Sequence, residues 1–511
     1  MKIALIQCPS WSTMTAPYNL ALLSACLKKD GHEVFCFDLN MAMYKYVSDL
    51  EGENAWGTKG ESNAWLEEIY VRNFMKQYDV YIDYLVAQIL ETGSRFIGFS
   101  IQDTSRHFAQ EVINRIKQKD ASRKIILGGY PFFGNSEQMQ FFNNNVDAIC
   151  LKEGEFSLLN LVKIFENEGD LDYCPGFICK KGNGNIIDGG ELPLIQDLDI
   201  LPFADFSGFE LKDYKEMVLP ISTSRGCVFR CAFCAETACW EKYRHRSAAG
   251  IFNEMLFQLE KFPDIRGFFF NDSLIDGDFK MLDELSSLII KSGRRIKWGG
   301  QGSIRKEMTP QLLRKLKKAG LCHISYGLES GNPKILKLMR KGFDIRTAEE
   351  VIRNTYRLRI HTTVNIVVGF PGETEEDVLI TADFLKRNIN FVHDIYFHSL
   401  VILPGTVLYN AKESFGIKFP DINWINFWFT EDGKNNYEIR LERIKLLKQL
   451  LQKKYTSNIT DFNYYRMLGD EYCAKKDYQN ARKFYLKAKD ETSDDNDISL
   501  IAERLKTLKT E

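Results

Sequence analysis

The sequence predicts an α/β protein: two successive sheet domains followed by a helical tail. Three observations carry this expectation. Short apolar runs alternate with amphipathic stretches from residue 2 to residue 168. The same rhythm resumes at residue 216 and runs to residue 405. From about residue 435 the alternation stops and the chain becomes rich in Lys, Glu and Leu. Strand and helix alternating at this spacing imply parallel strands joined by right-handed crossovers.

The elements follow in order. "KIALIQC" (2–8) and "HEVFCFDLN" (32–40) read as strands flanking "YNLALLSACLKKDG" (18–31). In that middle stretch the apolar residues recur at helical spacing, and the terminal Gly suits a helix C-cap. "RFIGFSIQD" (95–103) leads into the helical "SRHFAQEVINRIKQKD" (105–120), then "KIILGGYPF" (124–132). "VDAICLKEGE" (146–155) precedes the helical "FSLLNLVKIFENEG". This is the pattern of a doubly wound, Rossmann-like sheet, assigned to residues 1–190. Ligands of such sheets bind beyond the carboxyl ends of the strands. Those ends carry "CPSW", "SIQDTS", "GGYPF" and "KEGE", and Gly128-Gly129 would let a bulky ligand approach the backbone. "KKGNGN" (180–185) then reads as a hairpin turn, and "LPLIQDLDILPFADF" (192–206) lies in an extended linker at 191–215.

Strands resume with "EMVLPISTSRGC", then "RGFFFNDSL" (266–274), "IKWGGQGSI" (296–304), "CHISYGLES" (322–330), "HTTVNIVVGF" (361–370) and "DIYFHSLVI" (394–402). About six βα units fit here, too few to close an eight-unit barrel but enough for a partial (β/α)6 one. This barrel is assigned to 216–430 and the helical C-terminal region to 431–511.

Composition narrows the class. Lys+Arg at 67 nearly balance Asp+Glu at 69, so the global basic footprint of a nucleic-acid binder is missing. Runs such as "LLRKLKKAG" (312–320) read as solvated helix faces. No apolar stretch reaches transmembrane length, and the opening "MKIALIQCPSW" is a poor signal-peptide core. The expectation is a cytoplasmic, reducing location with no membrane or nucleic-acid partner. The twelve cysteines are then free thiols or ligands rather than a disulfide framework. Cys26, Cys36, Cys150 and Cys322 sit in apolar segments and read as small buried hydrophobes.

The informative cysteines lie in "RGCVFRCAFC" (225–234), where Cys227, Cys231 and Cys234 are spaced C-x₃-C-x₂-C. A structural zinc site takes four protein ligands, and Cys239, five residues past Cys234, is an available fourth. The competing arrangement is a [4Fe–4S] cluster on three cysteines, whose open iron chelates a small molecule. The preceding "ISTSRG" reads as a strand ending in Gly, which puts the triplet on a loop at a strand's carboxyl end. Phe229 and Phe233 are placed to shield a cluster from solvent.

These residues resemble a known family. Arg225-Gly226-Cys-x₃-Cys-x-Phe-Cys is similar to the signature of radical S-adenosylmethionine (SAM) enzymes. Further matches follow at "FNDSLIDGD" (270–278), "GLESGNPKILKLMRKG" (327–342), "GFPGET" (369–374) and "LPGTVLY" (403–409). The resemblance implies that Cys227, Cys231 and Cys234 hold a [4Fe–4S] cluster whose open iron binds the amino and carboxylate groups of SAM. Reductive cleavage of SAM then gives a 5′-deoxyadenosyl radical. It also implies SAM contacts for Glu329 and Ser330, in a Gly-x-Glu-Ser element, and for Ser303 and Arg305.

The N-terminal stretches "APYNLALLSACLKKDGHEVFCFDLN", "GFSIQDTS", "LGGYPF", "VDAICLKEGE" and "QDLDILPFADF" resemble the cobalamin-binding region of B12-dependent radical SAM proteins. The cobalamin contacts so implied are Ser100, Gln102, Asp103, Thr104, Gly128, Gly129, Tyr130 and Gly154. The Asp-x-His-x-x-Gly motif that supplies a histidine to cobalt in other cobalamin folds is absent, as is usual in this family. His32 and His107 lack that context and read as surface residues. A lower cobalt face without histidine implies a labile cobalt–methyl bond.

The resulting expectation is a cobalamin-dependent radical SAM C-methyltransferase, with methylcobalamin regenerated from a second SAM. Its partners would be a small-molecule or peptide substrate and an electron donor such as flavodoxin or ferredoxin. Residues that act on the substrate itself are not identified. A cobalamin-assisted cyclase or ring-rearranging oxidase competes within the same class. A degenerate cobalamin- or peptide-binding scaffold is the alternative outside it, and the intact triplet, Gly-x-Glu-Ser and Gly-x-Pro-Gly-Glu elements speak against that. A methylthiotransferase needs three N-terminal cluster cysteines and a basic, β-rich end; here Cys8, Cys26 and Cys36 fall on predicted strands and a helix. In the tail, "YRMLGDEYCAKKDYQNARKFYLKAKD" (465–490) puts Tyr465, Leu468, Gly469, Tyr472, Ala481, Tyr485 and Ala488 at tetratricopeptide-like positions. A lone repeat cannot bury its own face, so docking on the barrel mouth is expected ahead of partner binding.

Overall fold

The computed structural model describes residues 1–52, 56, 64–66, 68–129, 145–168, 174–181, 184–420, 426–451, 456–457, 465–466, 468–469, 472–473, 476–491 and 495–508. The first of its two large sheets contains β1 (Lys2–Gln7), β2 (Glu33–Asp38), β3 (Phe96–Ser100), β4 (Lys124–Gly128) and β5 (Ala148–Cys150), all parallel. Two antiparallel strands, β6 (Phe177–Lys180) and β7 (Ile186–Asp188), complete it. The order β2-β1-β3-β4-β5-β6-β7 reverses direction between β1 and β3, the point where a doubly wound sheet opens a ligand crevice.

The strands are apolar on both faces because helices cover both. Ile3 and Leu5 pack with Leu20, Leu27 and Leu161 of the helices Tyr18–Lys29 and Gly154–Glu168. Ala4 and Ile6 pack with Phe108 and Val112 of the helix Arg106–Lys119. Three helices precede β3 that the strand–helix rhythm does not announce: Leu39–Glu51, Glu68–Gln77 and Asp79–Glu91. They thicken this second face with an aromatic cluster in which the Trp65 and Phe74 rings lie 4.8 Å apart.

The linker is extended but not loose. Asp205 N donates to Ala21 O (3.0 Å), while Glu254 and Gln258 of the second domain take both backbone groups of Ala204, at 3.0 and 2.7 Å. The second large sheet follows. Its first strand is β8 (Val218–Ile221); β9 (Ser224–Arg225) and β10 (Arg244–His245) then form a short antiparallel ladder beside it. The sheet continues with β11 (Gly267–Phe270), β12 (Lys297–Gly302), β13 (Leu321–Glu329), β14 (His361–Val368) and β15 (Asp394–Ser399), parallel throughout. After a small ladder of β16 (Ile417–Lys418) and β17 (Phe429–Thr430), the chain returns to add β18 (Thr456–Ser457) against β15. The six expected barrel strands are present, and a seventh comes from the region read as wholly helical. Two residues are too short a run to leave a periodic signal.

The helix Tyr437–Leu451 joins the barrel core through Ile444, Leu447 and Leu451. The helices Tyr478–Asp490 and Asp495–Thr507 pair through Ala481, Tyr485, Ala488 and Ile501. They attach to that barrel helix by Lys487–Glu438 (3.2 Å) and Lys445–Glu491 (3.4 Å), and Arg466 lies 5.4 Å over the Tyr70 ring of the N-terminal domain. The tail thus docks on a barrel helix and on the N-terminal domain; among the described residues none of its side chains lines the cysteine cavity. No helix among the described residues is long and apolar enough to cross a membrane.

Fully buried Arg440 fixes the end of β14. It donates to Ser399 Oγ (3.0 Å), Trp428 O (3.2 Å), Asn435 Oδ1 (3.1 Å) and Asn426 O (2.6 Å), and stacks 4.0 Å from the Trp428 ring. A Cβ on Gly369, whose φ is +93°, would lie 2.2 Å from Arg440 Cδ. Gly369→Ala is therefore expected to cost about 2–3 kcal/mol through overpacking and backbone strain, measured as a fall in the denaturant midpoint at unchanged slope.

Candidate functional site

The cysteine loop is launched by a buried carboxylate. Where β8 ends, Asp272 Oδ1 accepts the backbone N–H groups of Thr223 and Ser224, both at 2.8 Å, and its Oδ2 accepts Thr223 Oγ1 at 2.5 Å. Gly226 then takes φ +80°, and a Cβ there would meet Lys242 O at 2.6 Å, so only glycine turns this corner. Beyond it, Cys227, Cys231 and Cys234 line a cavity of about 340 Å³ at the carboxyl end of the barrel. Phe229 and Phe233 line it too. Burial raises all three thiols, Cys234 to about 12, so a bound cation is what would hold them as thiolates.

Cys239 is buried in the helix Glu236–Trp240 and does not line that cavity. Among the described residues no three Cys, His, Asp or Glu side chains converge as a single metal ion requires. Three thiols spaced around a cavity, each able to meet a different metal atom, fit a polynuclear cluster better than one zinc ion.

Of the residues expected to contact SAM, Ser303 and Glu329 line this cavity, while Arg305 and Ser330 do not. Ser303 Oγ donates to the buried Asp276 (2.7 Å), and Glu329 holds φ +66° with Lys341 Nζ at 3.2 Å. A bulky residue in the left-handed region is a strained conformation of the kind that gathers at functional sites. Arg305 is stacked between Phe279 (4.5 Å) and Phe229 (5.7 Å). The Ser330 hydroxyl instead pairs with Thr381 Oγ1 (3.0 Å) and accepts Asn332 N (3.1 Å). Lys341 lines the cavity and was missed. Its only sequence signal is that it closes the same motif as Glu329, twelve residues on.

A larger cavity, about 490 Å³, opens at the carboxyl edge of the first sheet, where strand order reverses. Its floor is apolar (Leu5, Leu20, Phe99, Ile126, Leu158, Phe177) and its rim carries Asn19, Ser100, Gln102 and Lys152. Ser100, Gln102, Gly128, Gly129 and Gly154 all line it, whereas Asp103 and Thr104 do not. Thr104 Oγ1 donates to Ser10 O (2.9 Å). Tyr130 falls outside the described residues.

The two glycines act for different reasons. A Cβ on Gly128 has nothing nearer than Cys150 Cβ at 3.6 Å, but one on Gly129 (φ +127°) would sit 2.2 Å from Ile101 O. At Gly129 a side chain is excluded by the Ile101 backbone, and the residue still lines the cavity. His32 is buried rather than superficial, with Nδ1 3.1 Å from the Met1 amino group. His107 is half-buried, brought down to about 4 by burial and by Arg106. Neither lines the cavity.

The two cavities share a wall. Glu236 and Ser273 line both; Ser273 hydrogen-bonds the Glu236 carboxyl, whose Oε2 is buried with no geometric hydrogen-bond partner among the described residues. No spacing in the sequence singles out Glu236; only its place two residues after the triplet was visible.

Comparison with known proteins agrees with this arrangement. Residues 221–385 match the Radical SAM superfamily. The chain is 25% identical over 367 residues to an uncharacterized methyltransferase of Pyrococcus horikoshii, covering 71% of this chain and 78% of that one. In fold it resembles TsrM of Kitasatospora setae, a radical SAM methyltransferase solved with cobalamin and a [4Fe–4S] cluster (TM-score 0.63, 16% identity, 88% of each chain). It also resembles OxsB, a cobalamin-dependent SAM radical enzyme solved with aqua-cobalamin (TM-score 0.67, 16% identity, 99% of this chain and 75% of that one).

Anaerobic reconstitution with iron and sulfide is expected to load about four irons per chain. Cys227→Ala, Cys231→Ala and Cys234→Ala should each lose them and Cys239→Ala should retain them, by iron and acid-labile sulfide analysis. Loss of iron from the Cys239 variant would instead indicate a four-cysteine site.

Proposed function

We propose that this chain, a radical SAM enzyme, is a cobalamin-dependent C-methyltransferase acting on a small polar substrate. The shared wall carries the reading: a cysteine-lined cavity and a sheet-edge cavity meet at Glu236 and Ser273. A substrate there would face both. The residues present fit both groups. Three thiols with no fourth cysteine among the described lining residues suit a cluster with an open iron, and apolar side chains beside amide and hydroxyl groups suit a corrin with its amide periphery. When bound, the cluster supplies the electron that cleaves SAM, and the cobalamin supplies the methyl group.

This chain's residues do the rest. Glu329, Lys341 and the Ser303–Asp276 pair offer SAM a carboxylate, an ammonium and an oriented hydroxyl. Phe229 and Phe233 keep water from the cluster. Glu236 Oε2 accepts a hydrogen bond from an N–H or O–H group of the substrate. Among the described residues no histidine lines the sheet-edge cavity. The electron would come from a flavodoxin or ferredoxin in a reducing cytoplasm. The tetratricopeptide-like tail helices serve packing rather than partner capture.

Two roles for SAM follow, one molecule supplying the radical and another re-methylating cobalamin. Product methylation should be accompanied by 5′-deoxyadenosine and S-adenosylhomocysteine, each approaching one per turnover. With deuterated-methyl SAM the product should gain the labelled methyl in its mass spectrum. A hydrogen-depleted, unlabelled product, formed without stoichiometric S-adenosylhomocysteine, would identify a cyclase and refute methyl transfer.

A further inference from the structure

One ion-pair network ties the wall of the sheet-edge cavity to the start of the cysteine loop across the domain boundary. Arg225, the residue before Gly226 and the triplet, reaches into the first domain. Its NH1 pairs with Glu153 Oε1 and its NH2 with Glu155 Oε1. The three side chains are only 9%, 5% and 8% exposed. Arg244, opposite Arg225 in the β9–β10 ladder, donates to Glu153 Oε1 (2.9 Å) and Oε2 (3.1 Å), and Ile195 N of the linker also donates to Oε2 (2.6 Å). The Trp240 ring lies 5.5 Å from the Arg225 guanidinium and 5.9 Å from that of Arg244. Glu153, Glu155, Arg225 and Trp240 all line the sheet-edge cavity.

A buried ion pair of this kind has a narrow geometric optimum, and removing one partner leaves an uncompensated buried charge. The positions of the "KEGE" rim and of the start of the cysteine loop are therefore tied to each other. Gly154, between the two glutamates, starts the helix Gly154–Glu168 and lines the sheet-edge cavity. Gly226, next to Arg225, has the left-handed corner that aims the triplet.

We propose that Arg225, gripped by Glu153 and Glu155, couples the two cavities, so that filling the cysteine cavity with its cluster raises the affinity of the sheet-edge cavity for cobalamin. This rests on the assignment of the two cavities proposed above. A cluster fixes the three cysteines relative to one another and so fixes Arg225. Fixed, Arg225 holds Glu155 and Gly154 at the positions that close the rim. Without the cluster the loop samples other positions and carries the rim with it. By reciprocity, cobalamin must stabilise the cluster to the same extent. Arg225 acts here as a positioning residue, on the wall of the sheet-edge cavity and next to the glycine that starts the cysteine loop.

The test measures hydroxocobalamin affinity by anaerobic equilibrium dialysis on the full chain, cluster-loaded and cluster-free, in the wild type, in Arg225→Lys and in Glu155→Gln. Circular dichroism and iron analysis accompany each. The wild type should bind at least about fivefold more tightly with the cluster than without it. Both variants should load iron as the wild type does and reduce that ratio to near one, whatever their own cluster-free affinity. Either variant suffices if the other fails to fold. A wild-type ratio of one with both cofactors bound overturns the coupling and leaves the functional reading intact. Variants that keep the wild-type ratio also overturn it. A wild type that binds no cobalamin in either state overturns both.

Discussion

The site depends on how the carboxyl end of a parallel sheet disposes of its unpaired backbone donors. Strands that stop leave N–H groups facing a cavity, and buried donors must be satisfied. Here two aspartates from one strand–helix connection do so, in opposite directions. Asp272 collects Thr223 and Ser224 at the end of β8, and Asp276 collects Ser303 N and Oγ beyond β12. Burial holds both carboxyls up at about 6 despite these bonds, a measure of what it costs to keep the charges there. With Asp272 in place, the chain leaves β8 along a path that ends at Gly226. With Asp276 in place, the opposite wall of the same cavity is fixed. The cysteines have their positions because these two carboxylates have theirs.

Much of this was legible in the residues. Save that β13 starts one residue early, at Leu321, each strand of the first five and of the six barrel strands falls inside the apolar run that announced it, because doubly covered parallel strands need largely apolar sequence. The triplet was legible because it resembles a family signature; its spacing alone left a zinc site with Cys239 open. What was hidden depends on long-range approach. That a Cβ on Gly129 would meet the Ile101 backbone, and that the Ser330 hydroxyl pairs with Thr381, show only in the folded chain. Glu236 and Lys341 carry no periodicity of their own; only the fold brings them to the cavity walls.

The boundary between the two sheet domains is unusually polar for a buried seam, and the polarity is organised. The linker's Ala204 is held on both backbone groups by Glu254 and Gln258, and Lys152 on the first domain pairs with Glu241 on the second. Contacts of this kind set angle and distance more sharply than apolar packing does, since a hydrogen bond weakens steeply off its axis. Two cavities that must meet at one wall need that kind of definition. Arg440 does the equivalent job at the far side of the barrel, donating to neutral oxygens of Ser399, Asn426, Trp428 and Asn435.

The seventh barrel strand has a consequence for biosynthesis. Thr456 and Ser457 cover the outer edge of β15 opposite Tyr396 and Phe397, yet they are made more than fifty residues after the strand they protect. A nascent chain emerges from its N-terminus, so the barrel is complete in every other respect while β15 still presents a row of unpaired backbone groups. Such an edge is a template for another chain. Polysomes carrying several copies bring many such edges close together, and the interval before residue 457 leaves the ribosome is when this protein is most exposed to misassembly.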